Sequence, residues 1–274
     1  MRVPMVRAVA STHLKGLFKT RDYWVPLIIL AGIFFIVVPL ILLNVVQRVD
    51  RTPLMNQVAD IIGTLPAAIQ DNIQGETGGT RAAYAFAVYL LAPIAIVVPL
   101  TISSAVGANA IVGEREKGTG EFLAHSPLSL QEIYVGKLFA AFIPGYMATL
   151  VGFAIYALIV NVVVGPNVGG WFFPTTGWWL LIFWVVPPFI LIALSLILRL
   201  SARVRSAASA HQASTLVTLP VIIMSYAAAS GLIYSPTISA LFIGIVAWAL
   251  AIFLLLTGSR SLKRERLLGV ASEA

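Results

Sequence analysis

The residues of this chain that could do chemistry gather in one short segment. It reads Gly113-Glu-Arg-Glu-Lys-Gly-Thr-Gly-Glu-Phe-Leu-Ala-His-Ser-Pro-Leu-Ser-Leu-Gln-Glu-Ile-Tyr-Val-Gly-Lys137. Its charged members are Glu114, Arg115, Glu116, Lys117, Glu121, Glu132 and Lys137. A phosphate-cradling loop would carry Lys-Ser/Thr after its second glycine and would follow a strand. Here Gly118 is followed directly by Thr119, and an apolar run precedes it, so this is not an ATP site. His13, His125 and His211 form no metal-ligand spacing, and no metal site is expected. No membrane span carries a Ser-His-Asp set or a carboxylate pair at helical spacing. With no cysteine, thiol nucleophiles and disulfides are excluded.

What the segment offers is mechanical. Gly118 and Gly120 can break a helix, and Ser126-Pro127 marks a second break. Ser129 with Glu132 has the spacing of a capping box, which would start a new helix. Between the breaks, Glu121 to His125 forms a short element with Phe122 and Leu123 exposed. It reads as an apolar-tipped docking knob or as a solvated loop.

The elements that hold this segment are set by composition. Of 274 residues, 59% are hydrophobic and only 11% charged, and mean hydropathy is +0.94. Soluble domains carry about 25% charged residues. The chain is therefore an all-α integral membrane protein forming one transmembrane domain, 1–274. Uncharged stretches of about 20 residues or more place six spans at about 24–46, 84–112, 138–164, 178–198, 207–231 and 238–257. Gly165 to Gly177 and Gly231 to Pro236 supply the turns that divide the two longest stretches.

Six spans put both ends on one side. With those ends cytoplasmic, only Arg48, Arg51 and Arg81 of the 18 basic residues lie outside. That asymmetry supports a multi-pass protein of the cytoplasmic membrane with both termini inside. It also accounts for the net charge of +7 without nucleic acid. The first apolar run is too long for a cleavable signal, and no small-residue cleavage site follows it. Residues 1–22 mix apolar and basic side chains and read as an interfacial amphipathic helix rather than a frayed tail. Segment 48–81 is extracytoplasmic. Its Leu54, Val58, Ile61, Ile62 and Leu65 fall at helical spacing, as a lid or, less simply, a dock for an outside partner.

The proposed spans contain no Asp, Glu, Lys or Arg. Ion-coupled carriers usually place ionisable residues at membrane depth, so no internal energy source is evident. His211 reads as a hydrogen-bonded structural residue. Prolines 26, 39, 93, 99, 144, 187, 188 and 220 can kink their spans. The small residues from Ser206 to Thr215 favour a helix or subunit interface over a pore lining. Trp171, Phe172, Phe173, Trp178 and Trp179 read as an anchoring belt at the outer interface.

Glu114-Arg-Glu-Lys-Gly-Thr119, Glu121, Ser126-Pro127 and Gly136-Lys137 together resemble the signature of the ABC-2 type transporter permeases. In that family the pattern lies between the second and third of six helices, as here, and follows an interfacial N-terminal helix. The resemblance implies a type V exporter-like fold and the membrane half of an ATP-driven transporter, most members exporting. It also implies two copies of a soluble ATPase that carries ATP and Mg, and a second permease copy or a homologue. This chain would then hold no cofactor and catalyse nothing itself. Its ATPase-coupling residues would be Glu114, Arg115, Glu116, Gly118, Thr119, Glu121, Phe122, Leu123, Ser126 and Pro127. The first three would stiffen the helix end, and Gly118 and Thr119 would shape the turn. Glu121 would meet a basic group on the ATPase or on the N-terminal helix, and Phe122 and Leu123 would supply apolar contact. Gly120 stands where the family often has Leu, and His125 where a small residue is usual. The rival readings are a regulatory scaffold in an ABC-type complex, a channel or a secondary transporter. The substrate is not legible.

Overall fold

Long apolar runs can satisfy their own N–H and C=O groups in lipid only as helices. The computed structural model, which describes residues 2–19, 21–48, 60, 62–64, 67–116, 118–204, 206–234 and 236–258, is helical accordingly. Helix α1 is Val3–Lys19. Helix α2 (Arg21–Gly32) continues through a π-helical turn, Ile33–Val37, into α3 (Val38–Arg48). Then come α4 (Ala67–Gln70), α5 (Gly78–Ala85) and α6 (Ile94–Glu116). A five-residue helix, α7 (Gly120–Ala124), leads to the 34-residue α8 (Leu130–Val163). The chain ends in α9 (Thr176–Leu180), α10 (Val186–Ser201), α11 (Ala207–Tyr234) and α12 (Pro236–Gly258).

Among the described residues, five segments are long and apolar enough to cross a membrane: Trp24–Arg48, Ile94–Glu114, Leu130–Val163, Thr176–Ser201 and Ala240–Gly258. The span expected at 207–231 coincides with α11, whose described apolar stretch, Ala208–Met224, is shorter. Helix α6 is the hub, packed by α8, α10 and α11, while α1 lies along α8. On α11, Ala210, Ser214, Thr218 and Val221 are buried, and the Thr218 hydroxyl donates to Ser104 Oγ of α6 at 2.8 Å. The small-residue face therefore makes a helix–helix contact within the chain. Most of the helix expected over Leu54 to Leu65 lies outside the described residues. Beyond it, Ile69 and Ile73 are buried in the core.

The span expected at 84–112 is broken. A π-helical turn, Phe86–Leu90, follows α5, and a turn over residues 91–93 separates it from α6. Pro93 is the cause, because it has no N–H to give. Leu91 N–H reaches back to the Phe86 carbonyl and Ala92 N–H turns to that of Tyr89. This leaves the Ala87 and Val88 carbonyls without a helical donor. Tyr156 Oη donates to the first at 2.6 Å and Trp178 Nε1 to the second at 2.8 Å.

The same device recurs at Leu181–Val185, just before Pro187 and Pro188. There Tyr146 Oη donates to the Ile182 carbonyl at 3.3 Å, and Trp248 Nε1 to that of Trp184 at 3.1 Å. A third π turn, Ile33–Val37, precedes Pro39. At Pro93 and at Pro187–Pro188 the expected kinks thus take a specific form, in which aromatic donors re-satisfy the freed carbonyls.

These donors correct the reading of the aromatic belt. Phe173 and Trp178 are buried in the interior, Trp178 stacked on Phe153 and Tyr156 and Phe173 meeting both edge-on, whereas Trp171 and Trp179 remain exposed. A Trp or Tyr at an interface keeps its polar tip in water. Inside this fold the tips find backbone carbonyls instead. The helices run past the charge-free spans at their ends. Helix α8 carries Glu132 and Lys137, both buried, and α10 carries Arg199. Arg199 Nη2 donates to the Leu254 carbonyl and to Thr257 Oγ1 near the end of α12, at 2.8 and 2.6 Å.

Candidate functional site

Helix α6 must end where α7 begins, and the glycine does it. Gly118 has φ of +70°, the left-handed region that suits glycine. Thr119 N–H then reaches back to the Glu114 carbonyl at 2.9 Å, the long bond of a Schellman ending. No atom lies within 4 Å of where a Cβ on Gly118 would sit, so backbone conformation and not space requires the glycine.

Glu114 is the hinge of the site. Its carboxylate accepts from the Thr119 hydroxyl, and its Oε1 lies 2.9 Å from Lys137 Nζ and 3.7 Å from His13 Nδ1. Lys137 is buried, only 1% exposed, and also donates to the Ala110 carbonyl one turn back along α6. One carboxylate therefore ties together α6, the α6–α7 turn, α8 and α1. A buried ammonium needs such a partner, since its desolvation is costly when unpaired.

A second tie lies at the start of α8. The expected capping box is present: Ser129 Oγ accepts from Glu132 N at 3.2 Å, and Ser129 N donates to Glu132 Oε2 at 2.9 Å. The same buried carboxylate receives Arg2. Arg2 N and Nε donate to Oε1 at 2.8 and 3.1 Å, and Nη2 to Oε2 at 3.2 Å. Nη2 also reaches the Pro127 carbonyl at 3.0 Å. The hydrogen bonds and negative charge of Glu132 raise the Arg2 pKa above its ordinary value, so this pair keeps its charge throughout the working pH range.

Between the two ties hangs α7. Phe122 is 81% exposed, while Leu123 is half-buried against the core. The pair expected to be exposed is thus divided into one anchor and one free tip. His125 Nδ1 lies 3.0 Å from the Glu121 carbonyl and Ser126 Oγ donates to that of Leu123 at 2.7 Å, closing the end of the short helix. Glu116 and Glu121 are exposed. The carboxylates that meet the N-terminal segment, among the described residues, are Glu132, through Arg2, and Glu114, through His13. The Arg115 side chain and Lys117 lie outside the described residues.

Of the expected site residues, then, Glu114 and Thr119 meet directly, Gly118 sets their turn, and Ser126, Pro127 and Leu123 seat α7. Lys137, Glu132, Arg2 and His13 belong to the same joint but were not assigned to it from sequence. A signal existed for two of them. Lys137 opens a long uncharged stretch and so needs a carboxylate, and Glu132 already stood in a capping box.

The comparison with protein families places the whole bundle. Residues 8–259 match the family described as ABC-2 family transporter protein. This chain belongs to the ABC-2 transporter family. The match runs from within α1 to just past α12, so every described membrane-length helix and all of the joint except Arg2 fall inside it. As an ABC-2 family protein with several such helices, the chain is a multi-pass membrane protein and a transport component. No match was found among curated proteins.

Two further features bear on how this ABC-2 chain holds its joint. His211 Nε2 lies 3.0 Å from Asn109 Nδ2, linking α11 to α6, which is the structural role expected of it. Helix α1 crosses α8 at Gly136, where a Cβ would lie 2.7 Å from Val9 Cβ and 3.1 Å from the Val6 carbonyl. Gly136→Val is therefore expected to push α1 off α8 and cost about 1–3 kcal/mol, the usual range for overpacking. Faster proteolysis within residues 2–19, with the α6–α8 core still protected, is the readout. Unchanged digestion would refute the close crossing.

Proposed function

We propose that this chain is the transmembrane permease subunit of an ATP-driven ABC transporter, exporting its substrate across the cytoplasmic membrane. In this reading it has six spans, a type V exporter-like arrangement and both termini in the cytoplasm. Two copies of a separate ATPase bind and hydrolyse ATP with Mg, and a second copy or a homologue completes the membrane half.

The observation that carries this reading is α7. A five-residue helix exposes one large apolar side chain, Phe122, and is braced on both sides by ion-paired joints. A solvated loop needs neither the apolar tip nor the bracing. A docking element that must pass force needs both. Displacing α7 would pull on Glu114 and on the Arg2–Glu132 tie together. The load would then reach α6, α8 and α1 at once.

The test is a pair of substitutions. Phe122→Asp is expected to weaken ATPase docking by about 2 kcal/mol, roughly 30-fold, as for an interface hot spot. Glu121→Ala is expected to leave the ATPase bound but uncouple hydrolysis from transport. Co-purification and substrate-stimulated ATPase activity in vesicles read the two effects separately. Normal ATPase retention by Phe122→Asp, or normal transport by Glu121→Ala, would remove the role given to that residue. Stimulation by a transported compound also separates transport from a scaffold role.

A further inference from the structure

An apolar groove of about 500 Å³ runs between α2, its π turn and α8. Phe18 and Trp24 line one end, Phe35, Met147 and Gly152 the middle, and Ile155 the far end. Among the described residues, no charged side chain lines it. Its walls stay open at the surface, with Ile28 60%, Met147 51% and Val151 56% exposed. Along α8 it extends from Ile143 to Ile155, which at about 1.5 Å per residue is roughly 18 Å. That is about the depth of one leaflet, half of a hydrocarbon core of ~30 Å.

The charge at the groove's end is not neutral. Lys15 and Lys19 flank Phe18 on α1, and Arg21 opens α2 just before Trp24. Lys15, Lys19 and Arg21 are all exposed. Asp22 is the single acidic residue among the first 48, so this stretch of sequence is net positive.

We propose that this groove binds one acyl chain of an anionic phospholipid, with the headgroup phosphate held by Lys15, Lys19 and Arg21. The apolar walls exclude water and fit hydrocarbon, and the length fits one chain. The three basic residues supply the selectivity, since each Lys or Arg near a membrane surface favours anionic lipid. The proposal goes beyond the transport reading and does not depend on it.

Trp24 gives a built-in probe. The full-length protein is reconstituted in phosphatidylcholine nanodiscs doped with dibrominated phosphatidylglycerol or, separately, with dibrominated phosphatidylcholine. Bromine quenches nearby tryptophan, and the Trp24 share is taken as the difference from Trp24→Phe. Half-maximal quenching of that share is expected at a roughly tenfold lower mole fraction of the glycerol lipid. Gly32 lines the groove, and no atom lies within 4 Å of where its Cβ would sit. Gly32→Leu is thus expected to fill the groove without distorting the helix and to abolish the selective quenching. Lys15→Gln with Lys19→Gln and Arg21→Gln should leave quenching that no longer distinguishes the two lipids. These polar substitutions at the surface keep the test decisive if Gly32→Leu misfolds. Equal quenching by both lipids in the unaltered protein would mean bulk lipid only and would overturn the proposal. So would selective quenching that survives in a folded Gly32→Leu protein. Absence of any Trp24 quenching would overturn it too, in favour of a protein surface, such as a second copy, covering the groove.

Discussion

Lys137→Met is expected to destabilise the folded chain by about 3–5 kcal/mol, the range for breaking one side of a buried ion pair. Methionine fills a similar volume, so the loss is electrostatic. Glu114 would keep its Thr119 and His13 partners but lose the ammonium 2.9 Å away, and the Ala110 carbonyl would lose its donor. The complementary Glu114→Gln leaves a buried ammonium facing an amide and should cost nearly as much. Changing both together, Lys137→Met with Glu114→Leu, should cost clearly less than the two separate losses, because neither charge is then stranded. Thermal unfolding in detergent measures all three. A Lys137→Met protein that unfolds with the unaltered one would show that Lys137 does not need Glu114. Function should fall further than stability, since the same pair joins α6, α8 and the α6–α7 turn.

Asn161→Leu is the second large effect, at the opposite end of α8. The Asn161 side chain is saturated. Its Oδ1 accepts from Phe172 N and Phe173 N, both at 3.0 Å, and its Nδ2 donates to the Phe173 and Ala157 carbonyls at 2.6 and 2.8 Å. Leucine has nearly the same size and none of these bonds. Each buried group left unpaired costs about 1–3 kcal/mol, so a total loss of roughly 4 kcal/mol is expected. Asn161→Asp keeps both acceptors but turns a negative oxygen toward two carbonyls, and should be no better. The Phe173–Trp178–Tyr156 cluster packs on this turn, so tryptophan emission from Trp178 should shift red in both variants as it loosens. Unchanged emission and unchanged unfolding would show that the amide is not the anchor.

Much of the bundle is legible from composition alone, because an uncharged apolar run of about 20 residues or more is what crossing a bilayer requires. Helix boundaries are less so. Spans delimited by charges necessarily exclude Glu132, Lys137 and Arg199, yet the helices run through all three by pairing or capping them. A pairing across 23 residues, such as Glu114 with Lys137, follows from how α6 and α8 pack and not from local pattern. Pro93 announces a kink. That the break divides a span, with Tyr156 and Trp178 satisfying the freed carbonyls, depends on side chains some 70 to 90 residues away. The aromatic residues near 171–179 mislead for a related reason, since burial of Phe173 and Trp178 is decided by partners on α8. The short helix at 120–124 is readable because its signals are local: glycines before it, Ser-Pro after it and a capping box beyond. What local pattern does not separate is Leu123, which packs inward, from Phe122, which does not.

The central claim is that Phe122 docks on a partner ATPase. A photo-crosslinking amino acid placed at Phe122, activated in the native membrane, tests it most directly. The same probe at Leu216, on the open apolar face of α11, serves as the control. The account predicts that the Phe122 probe captures a soluble protein with a phosphate-binding Gly-rich loop ending in Lys-Ser/Thr, and that the Leu216 probe does not. A Phe122 probe that captures no ATPase, in membranes where the chain is present and folded, would contradict it.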